Sequence, residues 1–460
     1  MRTKMKSYNA LIIGFGKGGK TLAGFLASTG ASVAVVEVNP RMYGGTCINV
    51  GCIPSKSMVY SSHDRSLKGA GRSELAERFA KAVEEKNTLI GMLRNKNYHM
   101  IADKPEVDVI DGEASFTGPD TVAIRKPDGS VEEVRGEKIF INTGSRPVMP
   151  SIPGLEDARH AYVSETLLDL DVLPEHLVVI GGGYIGLEFA SLFRRFGSKV
   201  TVLQRGPVFL PKEDADMSAE IAKVMKEQGI VVKTGVTFEK VVPGEAADRV
   251  VIRTAEGGEE LLDADAILVA TGRTPNIAPL HLEKAGVETT ERGAVKVDEY
   301  CRTNVPNIWA MGDVTGHEQF TYMSLDDFRI VRDQLTGRKG RSTKNRGHIA
   351  YSVFIDPSFA RVGMTEEEAR EAGHNIKVGK LACAGIPKAR ILRNPNGLLK
   401  AIVDADTDQI LGVHLFCEEA FEMINLVKVA MDAKLPYTVL RDAVYTHPTM
   451  TEAFNDLFKI

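Results

Sequence analysis

The run Tyr8-Asn9-Ala10-Leu11-Ile12-Ile13-Gly14-Phe15-Gly16-Lys17-Gly18-Gly19 decides the fold of this chain. Its first six residues form a short apolar run that reads as a buried strand. A Gly-x-Gly-x-x-Gly turn follows, then an apolar-periodic helix from about Lys20 to Ser28. A second strand, Ser32 to Val36, ends at Glu37. The glycine pattern alone is a weak signal. Between a strand and a helix, with an acid about 20 residues on, it is a dinucleotide-binding fingerprint. Gly14, Gly16 and Gly19 let backbone N–H groups and the helix N-terminus approach a pyrophosphate, and Glu37 can accept from ribose hydroxyls. The competing reading of Glu37 is a solvated acid at a strand end.

The pattern returns downstream. Leu177 to Ile180 reads as a strand, Gly181-Gly182-Gly183-Tyr184-Ile185-Gly186 as the turn and Lys199 to Leu203 as the second strand. An offset of 167 residues carries Gly14, Gly16, Gly19 and Gly30 onto Gly181, Gly183, Gly186 and Gly197 without a gap. Chance would have to reproduce spacing, strands and helix twice, so two nucleotide sites are expected. The copies differ at one telling position: Glu37 corresponds to Gln204, which Arg205 follows. An acid there accepts from a free 2′-hydroxyl and repels a 2′-phosphate, whereas a neutral residue beside an arginine reverses the preference. The first site therefore suits FAD. The second leans towards NADPH, with NADH as the alternative if Arg205 is an ordinary surface arginine.

Just after the first fingerprint comes Gly44-Gly45-Thr46-Cys47-Ile48-Asn49-Val50-Gly51-Cys52-Ile53-Pro54-Ser55-Lys56. Five residues of regular helix rise about 7.5 Å, beyond the roughly 4.4–6.8 Å usual between disulfide-bonded Cα atoms. If Cys47 and Cys52 are to pair, the segment cannot be helix throughout. Gly51 offers the distortion, and Pro54 suits the first turn of a helix beginning just after it. Cys52 then lies at a positive helix end, which favours its thiolate. Lys56 is four residues on, hence on the same helix face; its bland reading is a solvated lysine.

The rest of the chain fits around these features. Residues 61–100 are polar and helix-prone, and residues 107–141 read as a small antiparallel excursion with turns at Gly112, Gly118-Pro119 and Asp128-Gly129. Ile139-Phe140-Ile141-Asn142-Thr143-Gly144 reads as a buried strand closing on Thr-Gly, and Leu268 to Gly272-Arg273 echoes that exit. Asn307 to Gly312-Asp313 is a further strand whose terminal carboxylate can meet a ligand hydroxyl, although such an Asp is commonly a helix N-cap. From about residue 347, strand-like runs (Ala350–Ile355, Leu398–Ala405, Gln409–Leu415) precede helical ones (Ala420–Ala433 and the final segment), which suggests an α+β domain. Near its end, His447 has Glu452 five residues on, a candidate acid/base pair.

Bulk properties narrow the class. A chain of 460 residues suggests roughly three domains. A net charge of -4 gives no reason to expect nucleic acid or an anionic membrane as partner. The basic stretch Met1 to Lys6 leads into a strand without a separate apolar signal core. Five cysteines (Cys47, Cys52, Cys301, Cys383, Cys417) are too few for a disulfide-built secreted scaffold, so the chain reads as cytoplasmic and a working disulfide as catalytic.

Together these motifs resemble the FAD-dependent pyridine nucleotide–disulfide oxidoreductases, such as lipoamide dehydrogenase, glutathione reductase and mercuric reductase. The resemblance spans nearly the whole chain and rests on both fingerprints, the cysteine stretch, both Thr-Gly exits, Gly312-Asp313 and the terminal His-Pro-Thr-x-x-Glu. It implies an α/β fold with two Rossmann-like dinucleotide-binding domains and a C-terminal α+β dimerisation domain. The FAD domain would comprise residues 1–150 and 275–346, the NAD(P) domain 151–274 and the interface domain 347–460. FAD would be held by Gly14, Gly16, Gly19, Glu37, Gly45, Thr46, Gly112, Thr143, Gly144 and Asp313. NAD(P) would be held by Gly181, Gly183, Tyr184, Ile185, Gly186, Gln204, Arg205, Gly272 and Arg273, with Tyr184 as a gate. The resemblance further implies that Lys56 pairs with Glu188 near the flavin, that Cys52 faces the flavin and Cys47 the substrate, and that His447 and Glu452 come from the other subunit of a homodimer.

Within the family, the sequence is most similar to the bacterial reactive-chlorine-resistance flavoproteins, known as hypothiocyanous acid reductases and also as copper(II) reductases. The residues carrying that likeness are 94–99, 107–112, 320–328 and 455–458. A small oxidant, hypothiocyanous acid, is the expected substrate. Copper(II) reduction is a second reading, and no Cys/His/Met cluster with dedicated ligand spacing implies a resident metal. Lipoamide dehydrogenase shares the motifs, but Gln204-Arg205 argues against a strict NADH enzyme. A flavin-binding redox sensor is the non-enzyme alternative.

Overall fold

The computed structural model describes residues 5–63, 69–338 and 340–460. Most of the basic N-terminal stretch, and residues 64–68 of the helix-prone region, lie outside the described residues. The described chain forms two compact units. One comprises the described parts of Met1–Met58 with Lys81–Val148 and Gly272–Arg346; the other comprises the described parts of Val59–Ala80 with Met149–Thr271 and Gly347–Ile460.

The first unit is built on the strand Lys6–Ile13, which pairs in parallel with Val33–Glu37 on one side and Val131–Ile141 on the other. Leu11 and Ile13 join one apolar cluster with Val36, Ile139 and Val314, while Ala10 and Ile12 join another with Leu22, Val35 and Phe328. The period-two alternation thus feeds two cores, so this strand is apolar on both faces. The fingerprint helix spans Lys17–Ser28, starting three residues earlier than the periodicity suggested. Gly18 and Gly19 occupy its first turn, where they carry no apolar signal.

Two expectations need correction here. Val107–Asp111 is not part of an antiparallel excursion; it pairs in parallel with Val33–Glu37 at the sheet edge. Residues 139–141 are not a separate strand either. They end the strand Val131–Ile141, which pairs antiparallel with Thr121–Arg125 and in parallel with Lys6–Ile13. A strand shared between two pairings is polar at its exposed start and apolar at its buried end, so it reads as two pieces.

In the second unit, His176–Ile180 lies between Lys199–Leu203 and Ala266–Val269, again all parallel, and Tyr184–Arg195 is the helix after the second glycine turn. A three-stranded antiparallel sheet spans Thr237–Ala264. The C-terminal part carries a five-stranded antiparallel sheet, in the order Ala350–Val353, Phe359–Gly363, Ile410–Phe416, Leu398–Asp404 and Ile376–Ala382, with the helix Ala420–Asp432 packed on it. The sequence reading missed Phe359–Gly363, which buries the charged Arg361 at its centre, and Ile376–Ala382, an edge strand with two lysines. No helix among the described residues is long and apolar enough to cross a membrane.

Candidate active site

The two glycine turns are built alike. A Cβ at Gly14 (φ +103°) would overlap the backbone carbonyl of Asn142, and one at Gly181 (φ +116°) would overlap that of Ala270. Each turn is pressed against the end of a neighbouring strand, and only glycine permits that approach in this conformation. The helices that follow begin at Gly16 and Gly183 without a side-chain cap. Their N-terminal N–H groups and dipole therefore suit a diphosphate.

Around the first turn, Glu37 is buried and its carboxylate accepts from the N–H groups of Phe15 (2.9 Å) and Asn39 (3.2 Å). Burial pushes its pKa up and the two backbone bonds pull it back. The Gly112 N–H donates to the Glu37 carbonyl at 2.9 Å, setting that glycine beside the strand end. Thr143 donates to the Asn276 carbonyl at 2.7 Å, and Gly144 follows in a left-handed turn. Asp313 lies in the turn Gly312–Thr315 after the strand Ile308–Ala310 and accepts from Ser145 at 2.7 Å. Arg273 in turn donates to the Ser145 hydroxyl (2.9 Å) and carbonyl (2.8 Å). Gly272 and Arg273, expected at the NAD(P) site, thus fall in the first unit with Asp313.

Cys47 lies in the short helix Thr46–Asn49, which Gly45 precedes, and Cys52 opens the helix Cys52–Ser62. Gly51 joins them, for a different reason from the one its residue type suggests. Its φ is not positive; a Cβ there would stand 3.0 Å from the Thr46 carbonyl oxygen and 3.3 Å from the Cys47 Cα. The glycine lets two helix ends close on each other. Asn49 locks the first of them, donating to the carbonyls of Tyr43 (3.0 Å) and Gly45 (2.9 Å) and accepting from Arg94 at 2.8 Å. Both cysteines are free thiols, Cys47 half-buried and Cys52 exposed, and Cys52 Sγ lies 3.7 Å from Thr321 Oγ1. The hydrogen bond with Cys52 and burial push the Cys47 thiol up, while Thr321 and Lys20 pull it down. Lys56 lies on the same helix as Cys52, one turn on.

In the second unit, Tyr184 opens the fingerprint helix, with Ile185 next to it and partly exposed. The Tyr184 hydroxyl donates to Glu213, which also accepts from Tyr351 at 2.6 Å, and the two tyrosine rings lie 5.4 Å apart. Gln204 donates to the Val208 carbonyl, and Arg205 is exposed. Glu188, buried on the fingerprint helix, accepts from the Phe354 N–H at 2.8 Å. His447 is exposed and its Nδ1 lies 2.8 Å from Glu452 Oε2. Among the described residues, no three His, Cys, Asp or Glu side chains are grouped to hold a metal ion.

The pyridine nucleotide-disulphide oxidoreductase model matches residues 8–327, and the dimerisation-domain model of the same family matches residues 349–458. The chain belongs to the pyridine nucleotide-disulfide oxidoreductase family. Over 456 residues it is 49% identical to RclA of Escherichia coli strain K12, described as a pyridine nucleotide-disulfide oxidoreductase, covering 99% of this chain and 100% of that one. It is 35% identical over 453 residues to a mercuric reductase of Lysinibacillus sphaericus, covering 97% of this chain and 81% of the relative. Among solved structures it superposes with a TM-score of 0.92, at 48% identity and 99% coverage of both chains, on a Cu(II) complex of the HOCl-induced flavoprotein disulfide reductase RclA from Escherichia coli. As a family member the chain is a flavoprotein disulfide oxidoreductase using a pyridine nucleotide.

Several residues that hold these segments in place carried little signal in the sequence. Asn142 accepts from the Gly19 N–H at 2.9 Å and donates to the Met311 carbonyl at 2.7 Å, tying the fingerprint to the strand before Asp313. Ser145, Thr321, Glu213 and Tyr351 are likewise set by tertiary contacts. Only Asn142 had a sequence signal, its place directly before Thr143-Gly144.

Proposed function

We propose that this chain is an NADPH-dependent FAD disulfide oxidoreductase that reduces hypothiocyanous acid to thiocyanate, acting as a homodimer in the cytoplasm. The observation carrying this reading is the Cys47–Gly51–Cys52 joint, where a glycine lets the helix that carries Cys47 and the helix that opens on Cys52 close on each other. It stands in a chain 49% identical over its full length to RclA, whose solved counterpart is described as HOCl-induced. In this reading the FAD-binding domain comprises residues 1–150 and 275–346, the NAD(P)-binding domain 151–274 and the dimerisation domain 347–460.

The residues present fit both nucleotides. The uncapped helix start at Gly16 suits the FAD diphosphate, with Glu37 for its ribose and Asp313 for a further hydroxyl. The start at Gly183, with Gln204 and Arg205, suits NADPH. Held there, the two nucleotides would together supply the two electrons that reduce the Cys47–Cys52 disulfide.

The reduced pair does the rest. The Cys47 thiolate takes the hydroxyl of hypothiocyanous acid, becoming a sulfenic acid and releasing thiocyanate. The two electrons leave the pair with thiocyanate in that step; the Cys52 thiol then displaces the hydroxyl as water, and the S–S bond re-forms without further oxidation. His447, its Nδ1 held by Glu452, takes the proton of the Cys47 thiol and returns it to the departing hydroxyl, and the proton of the Cys52 thiol passes to solvent.

The test is a panel of hypothiocyanous acid, copper(II), lipoamide, glutathione disulfide and mercury(II), each with NADPH and NADH. Fastest turnover with hypothiocyanous acid and NADPH is expected. Faster turnover of lipoamide or glutathione disulfide would overturn the substrate reading, and absence of multiple turnover with every oxidant would favour a redox sensor. Copper(II) reduction is the second reading, favoured by the Cu(II) complex of the RclA relative. Turnover with copper(II) alone would establish it.

A further inference from the structure

Glu213 is buried at the end of the loop that leads from Gln204 and Arg205 to the helix Ala215–Glu227. One of its carboxylate oxygens, Oε1, accepts from both the Tyr184 and the Tyr351 hydroxyls, the latter at 2.6 Å, and the two hydroxyls lie 3.2 Å apart. The other oxygen, Oε2, stands 3.6 Å from Arg361 Nη1 and 3.9 Å from His414 Nδ1. Arg361 is fixed in its turn. It donates to the carbonyls of Lys212 (2.6 Å) and Gly363 (3.1 Å) and pairs with Glu368 at 2.5 Å. All of these groups belong to the second unit.

A carboxylate taken out of water is costly unless donors and a cation answer it. Two phenols and the buried Arg361 do so here, and burial, which pushes the Glu213 carboxyl up, is partly offset by all three. A satisfied buried network of this kind fixes geometry, because each member has one arrangement that leaves no polar atom stranded. The member it fixes at the nucleotide fingerprint is Tyr184.

Tyr184 is the first residue of the helix Tyr184–Arg195, whose start carries no side-chain cap and suits a diphosphate. The Cα–Cβ bonds of a helix tilt towards its N-terminus, so a tyrosine at this position, left to itself, can lie across the N–H groups of that start. Here the ring is drawn aside. It lies 5.4 Å from the Tyr351 ring, tilted by 31°, and Gly183 stays exposed. We propose that Glu213, with Tyr351 beside it, is a positioning residue for the pyridine nucleotide: it latches the Tyr184 ring beside the helix start and keeps the diphosphate-binding N–H groups open. The inference rests on the proposed function in taking this helix start as the pyridine-nucleotide site.

The test titrates the oxidised, FAD-loaded enzyme with NADP+ by calorimetry, with no oxidant present. Tyr184→Phe keeps the ring and removes the latched hydroxyl, and should weaken binding on the order of fivefold. Glu213→Gln should weaken it in the same direction, since an amide holds a phenol less strongly than a carboxylate does. The double variant should bind no more weakly than Tyr184→Phe alone, because both changes break one link. Tyr184→Ala should bind more tightly than Tyr184→Phe, having no ring to fall across the helix start. Parent affinity in Tyr184→Phe or in Glu213→Gln would overturn the proposal, and so would additive losses in the double variant. Tyr184→Ala binding no more tightly than Tyr184→Phe would overturn it as well, marking the ring as a nucleotide contact instead of an obstruction. The same pattern is expected with NAD+, which carries the same diphosphate. Tighter binding of NAD+ with that pattern intact would support the latch while correcting the cofactor preference.

Discussion

Cys47 and Cys52 differ by five positions in sequence and by environment in the fold: the first is half-buried, the second exposed beside Thr321. Replacing Cys47→Ser should lower oxidant turnover on the order of a thousandfold or more while leaving flavin reduction by NADPH largely intact. Steady-state assays and stopped-flow flavin absorbance check this, and retained turnover would show that Cys47 is not the attacking group. At the second nucleotide site, Gln204→Glu should move the kcat/KM ratio towards NADH by on the order of tenfold, about 1.4 kcal/mol, because a carboxylate repels a 2′-phosphate and accepts from a 2′-hydroxyl. An unchanged ratio would remove Gln204 from specificity.

The joint between the helices Thr46–Asn49 and Cys52–Ser62 is where local structure sets chemistry. Gly51→Ala places a methyl against the Thr46 carbonyl and the Cys47 Cα, so the two helix ends must move apart. We expect a cost of about 1–3 kcal/mol, as for other overpacked sites, together with slower closure of the disulfide. Thermal melting of the FAD-loaded protein and thiol titration after reduction measure the two effects; a melting temperature and closure rate equal to the parent's would contradict the close-approach argument. The spacing rule anticipated a break between the cysteines, but not its cause. Gly51 was expected to distort the backbone, whereas it is needed because another part of the same segment comes too near for a side chain.

Over the whole molecule, two histidines give stability a pH dependence. Burial lowers the pKa of both His63 and His414 from the usual 6.5 to about 4, with Arg195 adding to the effect at His63. The unfolded chain binds protons on these rings below about pH 6.5 that the folded chain refuses until about pH 4. Stability is therefore full above the upper value and falls through that interval, by about 1–3 kcal/mol per ring. His63→Phe should flatten part of the decline in melting temperature between pH 6.5 and 4; a slope identical to the parent's would show that His63 is not responsible.

Residue type at fixed spacing was enough to reveal the duplicated strand–glycine–helix units, the acid and the amide at their matching positions, the cysteine pair and the His447–Glu452 pair. Each of these is a local pattern, set by residue type at fixed spacing, and each survives without knowing what lies across space. Only in three dimensions does Val107–Asp111 run parallel at a sheet edge, Asn142 close the first turn, and Arg273 bond to Ser145, whose hydroxyl donates to Asp313. There too Lys20 is buried, its ammonium on Asn97, rather than in solvent. Those facts depend on hydrogen bonds and packing between residues tens to hundreds of positions apart. No periodicity or motif encodes them; they arise only when the glycine-lined turns bring separate backbones into contact.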